Sequence, residues 1–379
     1  MTHPYEGLPP DRFWKTAVAD RSPFRIAGLW TPKFRVSPRT RIITAGSCFA
    51  QHISRALTAR NYRWIDGEPA PAHLSAEGAR AFHYGTFSFR TGNIYTANML
   101  RQWLAWAYGE AVPPDTLWEK DGRFYDPFRP GVEPGGFISP DEAFASRAVT
   151  LAAIRRAVEG AGLFVFTLGL TEAWQDKGGQ DGGGQDGGTQ EDGVEYALCP
   201  GTMAGAFDAK RHVFVNHRSA AIRAQMDDAL RMLRAAQPKL QVLLTVSPVP
   251  LTATAAGGHV LTATTHSKSV LRAVAGEMAA DLPGVDYFPS YEIITAPAFR
   301  GMFYGPNQRS VDAAGVNFVM NSFFNDQVAR FGSKAPTAPD DLADEPPAAD
   351  SAADSAADPA AQAAETLHCE EEILGAFAK

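Results

Sequence analysis

The sequence predicts a three-layer α/β sandwich built on a mainly parallel sheet, and three observations lead there. Continuous apolar runs at Ile42–Ala45, Leu163–Leu168, Val242–Val246 and Val285–Phe288 suit strands covered on both faces. Segments with helical spacing of apolar residues alternate with these runs. Each run stops in glycine, proline or small polar residues, on the side of such a sheet where ligands bind.

The elements follow in chain order. Residues 1–40 read as an N-terminal extension. After the first strand, Gly46 permits a tight turn, and Phe49, Ile53, Ala56 and Leu57 then share one helical face. Tyr62–Ile65 is a weaker second strand. Helices are predicted over Arg147–Val158 and Ser219–Ala236, each preceding a strand. A third is predicted over Ser267–Ala280, with Val270, Val274 and Met278 in register. A last helix over Asp312–Phe324 presents Val316, Val319, Met320 and Phe323, with Asp312 as its cap. The main domain is thus expected over 41–332.

Two segments stand apart. Residues 175–193 are polar and glycine-rich, the pattern of a flexible insert. Residues 333–366 contain almost only Ala, Asp, Pro, Ser, Glu and Thr, too little apolar surface to offset chain entropy, so a disordered acidic tail is expected. Residues 367–379 could form a short partner-binding helix at its end, the simpler expectation being a floppy terminus. The formal charge of −7 belongs to these segments: tail and insert carry −7 and −4, which leaves +4 elsewhere. That is too weak for a nucleic-acid surface, and no basic run supports one. The three cysteines, Cys48, Cys199 and Cys369, have no metal-ligand spacing and are too sparse for a disulfide scaffold. No basic start leads into an apolar run, and no stretch reaches membrane-spanning length. A soluble cytoplasmic protein that neither binds nucleic acid nor enters a membrane is the expectation. Neither a dinucleotide fingerprint nor a phosphate-binding loop occurs, so no cofactor and no metal is expected.

The residues at the strand ends are the candidate site: Gly46-Ser47-Cys48, Gly169-Leu170-Thr171-Glu172, Ser247-Pro248-Val249-Pro250 and Pro289-Ser290-Tyr291-Glu292. Ser47 falls where a strand gives way to a helix. There a hydroxyl is exposed at the sheet rim beside helix N–H groups that can stabilise an oxyanion. A serine there is also a common helix cap.

The string Gly46-Ser47-Cys48-Phe49-Ala50 resembles the signature of the GSCFA family of bacterial proteins. Thr91-Gly92-Asn93-Ile94-Tyr95-Thr96, Phe166–Trp174, Val246–Pro250, Ser267–Arg272 and Tyr287–Glu292 match further segments in the same order, covering roughly residues 40–325. That family in turn resembles the SGNH (GDSL-like) esterases and acyltransferases, which implies a flavodoxin-like sandwich and acyl-ester chemistry on small or glycan-borne O-acyl groups. Carried over residue by residue, the resemblance makes Ser47 the nucleophile. It puts the Ser47 and Gly92 N–H groups with Thr171 in the oxyanion hole, with Asn93 and Glu172 beside them. The superfamily's Asp-x-x-His block is missing, because Asn307 and Ser310 stand at its place and no histidine lies between His266 and His368. His266 is the leading substitute base, ahead of His217, His83 and His52. Lys268 qualifies only if desolvation lowers its pKa. Glu292 is a further rim carboxylate, and Cys48 a thiol expected to point into the core. Loss of the block equally suits a ligand-binding protein without turnover on the same fold.

Overall fold

The computed structural model describes residues 3–177, 193–332 and 369–378. The chain runs through β1 (Ile42–Gly46), α1 (Ala50–Ala59), α2 (Ala76–Ala81), α3 (Ala97–Tyr108), β2 (Trp118–Lys120), β3 (Arg123–Tyr125), α4 (Pro140–Gly160), β4 (Leu163–Leu168), β5 (Glu172–Asp176), β6 (Val194–Tyr196), β7 (His212–Asn216), α5 (Ser219–Ala236), β8 (Gln241–Val246), α6 (Val260–Asp281), β9 (Val285–Tyr287), α7 (Ser290–Thr295) and α8 (Ala313–Phe331). A 3₁₀ helix over Glu370–Phe377 follows.

The central sheet has the order β1-β4-β8-β9, every pair parallel. Strand side chains alternate between faces, and both faces are buried. Ile43, Phe164, Phe166, Val242 and Leu244 pack with α3, α4, α5 and α6. Ile42, Val165 and Leu243 pack with α1, α7, α8 and the N-terminal segment. The expected second strand is reduced to a single parallel bridge, Ile42 to Trp64. The Ile42 N–H donates to Arg63 O and the Ile65 N–H donates to Ile42 O, at 3.0 and 2.8 Å. With that bridge outside β1, the sheet follows the flavodoxin-like order.

Residues 26–36 are stitched to the core. Trp30, Phe34 and Val36 are buried, and the Trp30 N–H donates to Asp326 at 3.1 Å. The helix starts follow from caps. Ser139 accepts from the Glu142 N–H with Pro140 at the first turn, so α4 begins seven residues before the Arg147 that periodicity indicates. His259 likewise starts α6 at Val260. Asp312 caps α8, its Oδ1 accepting from the Gly315 N–H at 2.6 Å.

Two β units were not anticipated. β2 and β3 form a hairpin, and β6-β5-β7 form an antiparallel sheet beyond the carboxyl end of β4. Gln175 and Asp176, expected in the flexible insert, therefore belong to β5; residues 178–192 of that insert, and the whole acidic tail over 333–366, lie outside the described residues. Among the described residues no helix is long and apolar enough to cross a membrane.

Candidate functional site

The site is built where β1 and β4 end. Gly46 adopts φ +133°, and a side chain there would strike the backbone of Thr167. Glycine alone lets the chain turn this sharply beside its neighbour strand. The Gly46 carbonyl accepts the Ile94 N–H at 2.9 Å, which draws the 92–96 segment to the rim. The Tyr95 carbonyl in turn accepts the Gly169 and Leu170 N–H groups at 3.0 and 2.9 Å. A Cβ on Gly169 would lie 2.9 Å from Ser47 Cβ and 3.0 Å from Tyr95 O. Three sequence-distant segments thus meet in van der Waals contact around Ser47.

Ser47 does not cap α1. That helix opens from Phe49 without a side-chain cap, and Ser47 Oγ is buried with no hydrogen-bond partner. Thr171 Oγ1 is likewise buried and unpartnered, while the Thr171 N–H donates to Ser267 Oγ at 3.1 Å. Native structures rarely leave such hydroxyls unsatisfied unless something else binds there. One expected donor is lost: the Ser47 N–H is committed to Thr167 O at 3.0 Å. Parallel pairing carries on one residue past β1, so this N–H serves the sheet instead of an oxyanion.

Gly92 has φ +67°, and Asn93 Nδ2 beside it donates to the Glu370 carboxylate. Glu172 lies half-buried at the start of β5, accepting from Thr254 Oγ1 at 2.7 Å. Burial raises its pKa.

Lys268 qualifies from the sequence only if desolvation lowers its pKa, and the structure buries it. It is 1 % exposed. Its Nζ donates to Gly169 O at 2.6 Å, on the residue that touches Ser47. Burial lowers its pKa to about 8. His266, two residues earlier on α6, is exposed because it lies on the outer face of the helix. No histidine is hydrogen-bonded to Ser47 Oγ. His217 is held by Glu195 at 2.5 Å and Gln225 at 3.3 Å. His52 is half-buried and His83 buried, and desolvation lowers the pKa of each to about 4. His83 Nδ1 comes within 3.9 Å of Glu370 Oε1, but a neutral imidazole makes this a contact, not an ion pair. Glu292 is paired with Arg272 and the Tyr287 hydroxyl. Asn307 and Ser310 bond one another at 2.9 Å on the surface, and Arg309 between them turns inward to Pro250 O and the Glu371 carboxylate.

The contributions of Tyr95, Arg309 and Glu370 have no local sequence signal. Beside them, β5, β6 and the 251–255 loop enclose a largely apolar cavity of about 290 Å³. No group of three or more His, Cys, Asp or Glu able to hold a metal is present among the described residues.

Apart from the residues of the C-terminal segment, this arrangement lies within the stretch matched by a family model, that of the GSCFA family, over residues 41–323. No curated protein and no solved structure matches the chain. With the matched stretch covering most of the chain, from β1 into α8, the protein belongs to the GSCFA family.

Proposed function

We propose that the protein is an acyl-transfer enzyme, an ester hydrolase or O-acyltransferase of SGNH-like type, in which Ser47 is the nucleophile and Lys268 the base. The observation that carries this reading is the pairing of a buried, unpartnered Ser47 hydroxyl with a buried amine on the adjoining Gly169 carbonyl. A serine hydroxyl is a poor nucleophile until its proton is taken. A lysine with a pKa near 8 is deprotonated often enough at neutral pH to take it, and serine–lysine pairs do this on unrelated folds. His266, the base first expected, is placed less well because its ring is exposed.

In this mechanism Lys268 swings from the Gly169 carbonyl to Ser47 and accepts its proton as Oγ attacks the ester carbonyl. The tetrahedral oxyanion is held by the Asn93 amide, the Thr171 hydroxyl and the Gly92 backbone, in place of the occupied Ser47 N–H. Lys268 returns the proton to the departing alcohol. Water or an acceptor hydroxyl then takes the acyl group from Ser47. Small or glycan-borne acyl esters fit a polar rim that opens beside an apolar cavity.

A second reading is binding without turnover. One observation favours it: a carboxylate, that of Glu370, already rests on Asn93 and Tyr95. A fluorophosphonate probe separates the two. Labelling is expected at Ser47 in the wild type, more strongly in a Glu370→Ala/Glu371→Ala chain, and not in Ser47→Ala. It should rise with pH around a midpoint of about 8 and fall at least about 100-fold in Lys268→Met. No labelling of any chain above the Ser47→Ala control, from about pH 6 to 10, establishes the binding reading instead.

A further inference from the structure

The C-terminal segment Cys369–Ala378 buries its charges and exposes its apolar side chains. Glu370 and Glu371 are each 7 % exposed, whereas Ile373 is 36 % and Phe377 65 % exposed. Apolar packing alone produces the reverse, because burying a carboxylate is costly unless hydrogen bonds or opposite charge meet it. Here both carboxylates are met. Glu370 accepts from Asn93 Nδ2 and from the Tyr95 hydroxyl, the latter at 3.2 Å. Glu371 accepts the Thr252 N–H at 2.9 Å and pairs with Arg309 at 3.3 Å. Burial raises the Glu371 pKa, and the Thr252 N–H and Arg309 oppose the rise.

The groups that receive Glu371 are fixed by the domain, not by the segment. The Tyr304 hydroxyl donates to Pro248 O at 2.8 Å, and Arg309 Nε donates to Pro250 O at 3.2 Å. The loop that carries Arg309 is thereby pinned to the chain leaving β8, at the same end of the sheet as Ser47. Among the described residues, Arg309 Nη1 and Nη2 bond only the segment, at Cys369, Glu371 and Glu372. The domain therefore positions a guanidinium fork on the rim and supplies no carboxylate of its own to fill it. Such a fork matches the planar, two-oxygen geometry of a carboxylate.

We propose that Arg309 and the Thr252 N–H form a carboxylate-recognition subsite whose ligand is an acyl ester bearing a free carboxylate, and that Glu371 holds that ligand's place in this structure. Naming the ligand as an ester substrate rests on the acyl-transfer reading; the subsite itself does not. In the liganded chain the ester carbonyl lies at Asn93 and Tyr95, where the Glu370 carboxylate now rests, and the free carboxylate lies on Arg309. A neutral ester that displaces the segment leaves the buried fork without a counter-charge, and that cost selects against it. The segment acts as a tethered competitor for both positions.

The test titrates the full chain carrying Ser47→Ala, which prevents turnover, with the monomethyl esters of succinic, glutaric and adipic acid and with their neutral dimethyl esters. Calorimetry should show at least one monomethyl ester binding at least about tenfold more tightly than its dimethyl counterpart. Adding Glu370→Ala/Glu371→Ala should tighten that binding by at least about tenfold, since the tethered competitor is gone. Arg309→Gln should abolish the preference for the charged ester, and Arg309→Lys should restore part of it, because the charge returns without the fork. Equal affinity for charged and neutral esters overturns the subsite, as does binding of neither by the Glu370→Ala/Glu371→Ala chain. A preference that survives Arg309→Gln while the melting temperature falls assigns Arg309 to tethering the segment alone, and also overturns it. No titration requires a reactive Ser47. Charge-selective binding without fluorophosphonate labelling keeps the subsite and sinks the acyl-transfer reading; labelling without charge-selective binding does the reverse.

Discussion

In the proposed mechanism Ser47 and Lys268 carry the chemistry, and the burial of each has a consequence for stability. Ser47 Oγ is buried without a partner, and leaving a hydroxyl so costs about 1–3 kcal/mol. Ser47→Ala is therefore expected to leave the folding free energy unchanged or to raise it by up to about 1 kcal/mol. Were Ser47 a helix cap, the same change would destabilise by about 1 kcal/mol, and denaturant titration distinguishes the two. Lys268 bears the opposite kind of strain, its pKa lowered by burial from the ordinary 10.5 to about 8. Between these values the unfolded chain binds the proton that the folded chain has released, so stability rises with pH across that window. Below it the full penalty applies, about 3 kcal/mol on the scale of 1.36 kcal/mol per unit. Lys268→Met removes the penalty, and its stability advantage over wild type should shrink as pH rises from about 8 to 10.5. The slope carries the test, because the methionine also leaves Gly169 O without its donor. Parallel curves for the two proteins would show that the amine is not desolvated.

At the scale of elements, the loop that brings Gly92 and Asn93 to the rim is held from behind by buried charge. Arg90 bonds Glu68 and the carbonyls of Phe82 and Val132. Arg129 reaches the Arg90 carbonyl and pairs with Asp126, which also takes Arg147 from α4. Burial would raise the Asp126 pKa, but the two guanidinium groups hold it below the usual carboxylate range. Its stabilising contribution is thus complete above the ordinary carboxylate pKa and is lost as pH falls through the depressed folded value. Asp126→Asn leaves two buried arginines short of a counter-charge and is expected to destabilise by about 3–5 kcal/mol. Thermal unfolding at neutral pH checks the size of the effect, and the gap between the proteins should close as the pH is lowered. A loss under about 1 kcal/mol would mean that this network does not hold the loop.

At the scale of the molecule, a doubly covered parallel sheet supplies a rigid rim, and irregular chain supplies the groups arranged around it. The β6-β5-β7 sheet grows from the end of β4 and walls the apolar cavity on one side. The C-terminal segment rests on the rim through Glu370 and adds Leu374 and Phe377 to the lining of the same cavity. The long separation of the partners, Asn93 and Tyr95 with Glu370, means that the site is complete only once the whole chain has folded.

What the sequence determined alone follows from local rules. Largely apolar runs marked β1, β4, β8 and β9, because a strand buried on both faces is mostly apolar even where it carries a buried polar residue such as Thr44 or Asp286. Residues 219–236 were legible as α5 from their spacing, and Asp312 as the cap of α8 from its side chain. The position of Ser47 at a strand-to-helix turn was also legible. Short strands such as β6, with three residues, were not, because too few side chains repeat to show a period. Nor was the choice between Lys268 and His266. Both lie on α6, two residues apart, and the packing of that helix against Gly169 alone decided which would be buried and lose its solvation. Only the tertiary structure placed Glu370 on Asn93, since a contact across some three hundred residues of chain leaves no periodicity behind.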